Sequence, residues 1–176
     1  MCREGRSFSR QDGYSERELL LAGSDHLEAS ARLFETNVFW FLDSAGYLAS
    51  LGFELFLKAA LLHCTDQFPA SHNLVYLAKC FQRALNRKLP DEQVALLKKL
   101  NRFGRLRYPD PGKAVSIHTG DLDNIDKLFL ALVRQFPPSL VVILLRIREF
   151  DPDGLLRKGD RVVMFKRVET QKPPSG

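Results

Sequence analysis

The sequence predicts a mainly α-helical chain, an antiparallel bundle of four to five helices followed by a C-terminal β-hairpin. Three observations carry this expectation. Apolar residues recur at intervals of three and four through successive stretches between Ser15 and Phe136, the period of a helix with one buried face. The stretches are separated by short segments holding Pro, Gly, Asn or Asp, which stop one helix and cap the next. After Pro137-Pro138 the character changes: LVVILLRIREF and DRVVMFKRV are rich in β-branched and aromatic residues and flank the turn-rich DPDGLLRKG. A sixth helix over residues 139–150 is the alternative reading of the first of these runs, because period alone does not decide so short a stretch.

Taken in order, residues 1–14 are polar and without period, and are expected to form a loose arm. From Ser15 a long helix is predicted, with Leu20, Gly23, Leu27, Ala31, Phe34, Val38 and Phe41 along its inner face. Asp43 and Ser44 suit the N-cap of a second helix running to about Cys64, apolar almost all round and therefore central. DQFPA interrupts it. Ser71 can cap a third helix, with Leu74, Leu77, Ala78, Phe81 and Leu85 inward and Lys79 and Arg83 outward. Pro90 opens a fourth, with Val94, Leu97, Leu100 and Gly104 inward and Lys98, Arg102 and Arg105 on another face. Pro109, Pro111 and Gly112 end it. Asp121 and Asp123 begin a fifth helix, whose Leu122, Ile125, Phe129, Leu132 and Phe136 point inward. The expected organisation is thus an arm over 1–14, a bundle over 15–136, a hairpin over 137–170 and a disordered tail over 171–176.

Composition narrows the function classes. The chain has 176 residues, 45% of them hydrophobic, enough for one domain with a real core. The apolar runs VFWF and LVVILL are too short to span a bilayer, and MCREGRSFSR lacks the apolar stretch of a signal peptide, so a cytoplasmic protein without a membrane partner is expected. Three cysteines, Cys2, Cys64 and Cys80, with no C-x-x-C pair, suggest neither a disulfide framework nor a metal site, and Cys64 and Cys80 read as buried small hydrophobes. Phosphate-loop, dinucleotide, zinc-protease and hydrolase-elbow motifs are missing from the sequence, and no cofactor is expected.

Charge is unevenly spread. Between Lys79 and Arg107 nine basic residues face two acidic ones, a local balance of +7 in a chain whose total is +5. A basic excess confined to one segment points to a phosphate-bearing partner, although solvated helix faces also collect lysine and arginine. In LNRFGRLRYPDPG, Arg102, Arg105 and Arg107 gather where the fourth helix ends. The negative end of the helix dipole accounts for one or two of them. Their forked donors suit phosphate, and Tyr108 beside them suits stacking on a base. The structural reading pairs Arg107 with Asp110 and packs Tyr108-Pro109 on the bundle. Glu54 and Lys58 form an i, i+4 pair, read as a structural ion pair or as an acid/base couple. His72 reads as a first-turn surface histidine or as a proton-transfer group.

The order of SLGFELFLKAALL, SHNLVYLAKCF and a basic helix ending in RLRYPD, set between two further helices, resembles the HEPN domain family over roughly residues 15–136. The matching positions are Glu54, Lys58 and Ala59, then His72 and Leu74, then Arg107, Tyr108, Pro109 and Asp110. The resemblance implies an antiparallel four-to-five-helix HEPN-like bundle, here with a C-terminal β-hairpin, that forms a homodimer. Many members are metal-independent ribonucleases acting as toxins or defence proteins, with an arginine four to six residues before a histidine. None of His26, His63, His72 and His118 has an arginine so placed.

The expected function is therefore binding of RNA or a nucleotide through Lys79, Arg83, Lys98, Arg102, Arg105, Arg107 and Tyr108, with Glu54, Lys58 and Asp110 structural. One alternative is a divergent endoribonuclease, a toxin or antiviral effector, in which Arg105 or Arg107 meets His118 or His72. There a histidine would take the ribose hydroxyl proton and an arginine would stabilise the phosphorane. The other is a protein-interaction module paired with an antitoxin-like partner through the hairpin edge.

Overall fold

The computed structural model describes residues 5–36, 38–107, 115–118 and 120–148. Six α-helices are present among them: α1 (Glu16–Glu35), α2 (Leu42–Thr65), α3 (Leu74–Leu85), α4 (Asp91–Phe103), α5 (Asp121–Val133) and α6 (Pro138–Arg148). Two short strands, β1 (Ser7–Ser9) and β2 (Gln67–Pro69), pair antiparallel with Phe8 opposite Phe68.

α2 is the axis on which the rest is built. Its 24 residues pass, by length and composition, for a membrane-crossing segment, which the short-run reading of the sequence missed. However, 78% of its most apolar window is buried inside the bundle, as expected of a core helix. α1 runs antiparallel to it: Gly23 faces Gly52, and further along Ser30 Oγ donates to the Ala45 carbonyl at 2.7 Å. Both glycines matter through their missing Cβ, which lets the two backbones approach closely. Phe56 on α2 meets Phe129 of α5 edge-on at 5.2 Å, and Phe136 joins Phe56 to Phe81 of α3, so the aromatic centre ties three helices together.

The first five predicted helices form close to where their signals lie. Ser15 caps α1 by accepting from the Glu18 N–H. Asn86 takes the left-handed conformation that ends α3. The inner faces of α3 and α5 hold the predicted Leu74, Leu77, Ala78, Phe81, Ile125, Phe129 and Leu132. Several boundaries differ. α1 stops at Glu35, so Val38 and Phe41, expected inward, are exposed at the turn before α2. α2 begins at Leu42, ahead of the proposed Asp43 and Ser44 caps. Asn73 rather than Ser71 caps α3, accepting from the Tyr76 N–H at 3.1 Å.

Two larger expectations are corrected. Residues 7–14 are not a loose arm: β1 adds to β2, Arg6 O accepts from the Ala70 N–H at 2.8 Å, and Phe8, Tyr14 and Phe68 cluster with ring centroids 5.1 to 5.9 Å apart. The first arm of the predicted hairpin is the helix α6. Pro138 supplies a preset first-turn φ, the Pro137 carbonyl accepts from the Leu140 and Val141 N–H groups, and Leu140 and Leu144, four apart, are both wholly buried. Burial of that one stripe outweighs the strand preference of the intervening Val141, Val142 and Ile143. The second arm and the tail lie outside the described residues.

Candidate functional site

Gly46, Ser50, Glu54 and Lys58 recur every fourth residue along α2 and make one narrow small-and-polar stripe on an otherwise apolar helix. Ser50, Glu54 and Lys58 are all buried, and a buried charge is costly unless paired. Here it is paired: Lys58 Nζ donates to Glu54 Oε1 at 2.6 Å and lies 5.6 Å from the centre of the Phe68 ring.

His72 completes the group. Its Nδ1 is 3.0 Å from both Glu54 carboxylate oxygens, yet 83% of its side chain is exposed. Ser71 Oγ accepts from the Asn73 N–H at 3.1 Å and Asn73 caps α3, so the helix start fixes where the imidazole stands. A carboxylate beside Nδ1 selects the tautomer with its proton there, leaving the Nε2 lone pair turned to solvent. A buried acid thus orients an exposed base, and the two isolated sequence signals, the Glu54–Lys58 pair and His72, become one constellation.

Two contacts bring the basic end of α4 to the same place. Asn101 Oδ1 accepts from the Leu74 N–H at 2.8 Å, joining the C-terminal turn of α4 to the first turn of α3. Gly104, opening the 3-10 turn Gly104–Arg107, lies against Ser50, one helical turn of α2 from Glu54. Arg102 and Arg105 are exposed at this end, with Lys98 one turn earlier on the outer face of α4. Lys79 and Arg83 are exposed further along α3, which runs away from His72. Lys99 is tied to Asp121 across the small cleft between α4 and α5.

His118 stands beyond the turn. It is exposed, its backbone N–H donates to Asp121 Oδ2 at 3.0 Å, and the preceding Ile117 packs on Gly46. Gly46 and Glu54 are eight residues apart on α2, roughly 12 Å at 1.5 Å per residue, so His72 and His118 attach to different levels of the stripe. Nothing is described of the Arg107 side chain, and Tyr108 and Asp110 lie outside the described residues.

A second polar group has no counterpart in the sequence reading. Glu16 of α1, His63 of α2 and Ser139 of α6 form a chain: His63 Nδ1 is 3.3 Å from Glu16 Oε1, and His63 Nε2 is 2.8 Å from Ser139 Oγ. Arg10 also binds Glu16 Oε1 and reaches Asp66 at 3.1 Å. Burial opposes the charge on Glu16, but its own backbone N–H, the Arg10 guanidinium and His63 together outweigh it and hold the carboxyl below the usual glutamate range. The three residues are separated by 47 and 76 positions, so no local spacing could announce them.

Among the described residues no cluster of three or more His, Cys, Asp or Glu side chains suits a metal ion. Cys64 is a free, half-buried thiol whose pKa is pushed up by burial. Cys80 is disulfide-bonded, which neither the odd cysteine count nor the missing C-x-x-C pair led one to expect. No protein-family model, curated protein or solved structure matches the chain.

Proposed function

We propose that this chain is a HEPN-like protein, acting as a homodimer, that binds RNA through the surface where α4 ends beside the start of α3. The observation that supports this is the exposed His72 imidazole, held 3.0 Å from buried Glu54 at the end of the bundle that also carries Arg102 and Arg105. Guanidinium groups bind phosphate oxygens through two parallel N–H donors. A chain crossing this end would set its phosphates on the arginines and a ribose near His72. The test is equilibrium binding of a single-stranded RNA over a range of salt. Affinity is expected to fall log-linearly with salt, by about 0.7 in slope for each phosphate neutralised. A flat response would remove the proposal.

The His72–Glu54 geometry also favours the second reading, a metal-independent endoribonuclease. His72 Nε2 would take the proton of a ribose 2′-hydroxyl as that oxygen bonds the adjacent phosphorus. The bond to the 5′-oxygen then breaks, leaving a cyclic phosphate, and the departing oxygen takes a proton from the imidazolium. An arginine would balance the charge on the phosphorane. RNA cleavage in chelator, lost in His72→Ala and kept in His118→Ala, is the expected result; cleavage unchanged in His72→Ala would exclude it.

A further inference from the structure

The Glu16–His63–Ser139 chain lies apart from the RNA surface. His63 is nine residues beyond Glu54 on α2, which at 100° and 1.5 Å per residue puts it on the opposite face and roughly 13.5 Å further along. Three helices, α1, α2 and α6, each contribute a single side chain to it. The order of groups is what matters. The glutamate carboxylate, already held by Arg10, accepts from His63 Nδ1–H. In the neutral imidazole this leaves the lone pair on Nε2, and the contact at 2.8 Å is then Ser139 Oγ–H donating to His63. The hydroxyl is therefore aimed at a base whose other nitrogen is anchored by an acid, the arrangement that turns a weak alcohol into a nucleophile. Glu16 and His63 are largely buried, with 13% and 21% of their side chains exposed, whereas Ser139 stands at the surface. Ser139 also occupies the first turn of α6, where Pro138 has no N–H and the Leu140 and Val141 N–H groups are bound to the Pro137 carbonyl, so the N–H of Ser139 itself is the one donor of that turn left for a developing oxyanion.

We propose that Ser139, His63 and Glu16 form a second reactive site, which takes short acyl groups from small carboxylic esters: Ser139 is the nucleophile, His63 its base, and Glu16 the residue that positions the imidazole. Ser139 Oγ bonds the ester carbonyl carbon while its proton passes to His63 Nε2. The tetrahedral adduct collapses with breakage of the ester C–O bond, and the leaving alkoxide takes the proton back from His63. Water then attacks the acyl-serine in the same way, giving up a proton to His63 as it adds, and the carboxylic acid departs as Ser139 recovers the proton. Because Ser139 is open to solvent, access favours a small ester over one that needs an enclosed acyl channel.

The experiment is treatment of the intact protein with a fluorophosphonate and, separately, with p-nitrophenyl acetate, with the modified residue located by peptide mass spectrometry. The expected result is an adduct on Ser139 that is absent in Ser139→Ala and forms about 100-fold more slowly in His63→Gln. A glutamine at position 63 can still hydrogen-bond both neighbours but cannot serve as the base, so a tie that merely fastened α6 to α1 and α2 would survive it. Failure to label Ser139 in the wild-type chain, or equal labelling rates in wild type and His63→Gln, would overturn the proposal.

Discussion

Lys58 is charged, nearly shut off from water and matched by one carboxylate, which makes Glu54 the side chain whose loss should be felt most at the level of single residues. Glu54→Ala is expected to lower stability by about 3 to 5 kcal/mol in urea unfolding, because the ammonium is left buried without its counter-charge. Replacing both partners, as Glu54→Leu with Lys58→Met, removes the desolvation of both ions and should cost far less than the single change; a double variant as weak as Glu54→Ala would refute this account. Glu16 predicts a pH effect of definite sign. Burial acts against its ionisation, but the backbone N–H, Arg10 and His63 prevail, so its folded pKa lies below the ordinary 4.5. Its contribution is then complete above about pH 4.5 and is lost as the pH falls through the folded value. The Tm gap between wild type and Glu16→Gln should hold steady from about pH 7 to about pH 5 and close at lower pH.

Between elements, the contact most sensitive to a single methyl group is the crossing of α1 and α2. A Cβ at position 52 would lie 2.6 Å from Leu27 Cγ and 3.0 Å from the Gly23 carbonyl oxygen. Gly52→Ala gains about 0.5 to 1 kcal/mol of helix preference and loses about 1 to 3 kcal/mol to overpacking, so a net fall in Tm is expected. With Leu27→Ala already in place the same substitution should become neutral or stabilising, which a double-mutant cycle would show. The helices themselves were readable because each carries its own signals: Ser15 before α1, Pro90 before α4, and a stripe of apolar residues through each. β1 was not, and α6 was legible only as the alternative to a strand, for a shared reason. Three residues of strand owe their existence to Gln67–Pro69, far along the chain, and α6 owes its helix to a surface on α1 that only the folded bundle provides.

At the scale of the molecule, the arginines sit where α4 ends beside the start of α3, whereas Lys79 and Arg83 lie further along α3 from His72, and this divides their expected effects. Arg102→Glu with Arg105→Glu should weaken RNA binding and lower the salt slope by about 0.7 for each phosphate no longer neutralised. Lys79→Glu with Arg83→Glu should do markedly less; equal weakening by both pairs would spread the binding surface over the whole basic segment. Glu54, Lys58 and His72 could each be singled out in the sequence, but their meeting depends on α3 folding back so that its first residue bonds Asn101. Glu16, His63 and Ser139 gave no signal, since only the packing of α1, α2 and α6 makes them neighbours.

The charged pair in the middle of α2 also bears on how the chain is handled as it is made. While this segment emerges from the ribosome, before α3 to α6 exist to complete its cover, it is long and apolar enough to be mistaken for a bilayer anchor. A lysine at the centre of such a segment opposes insertion by roughly 2.5 to 3.5 kcal/mol, and an adjacent glutamate adds to that barrier. The pair that limits stability in the finished protein therefore guards its route there: the double replacement Glu54→Leu with Lys58→Met, however well it packs, should shift newly synthesised chains toward the membrane fraction.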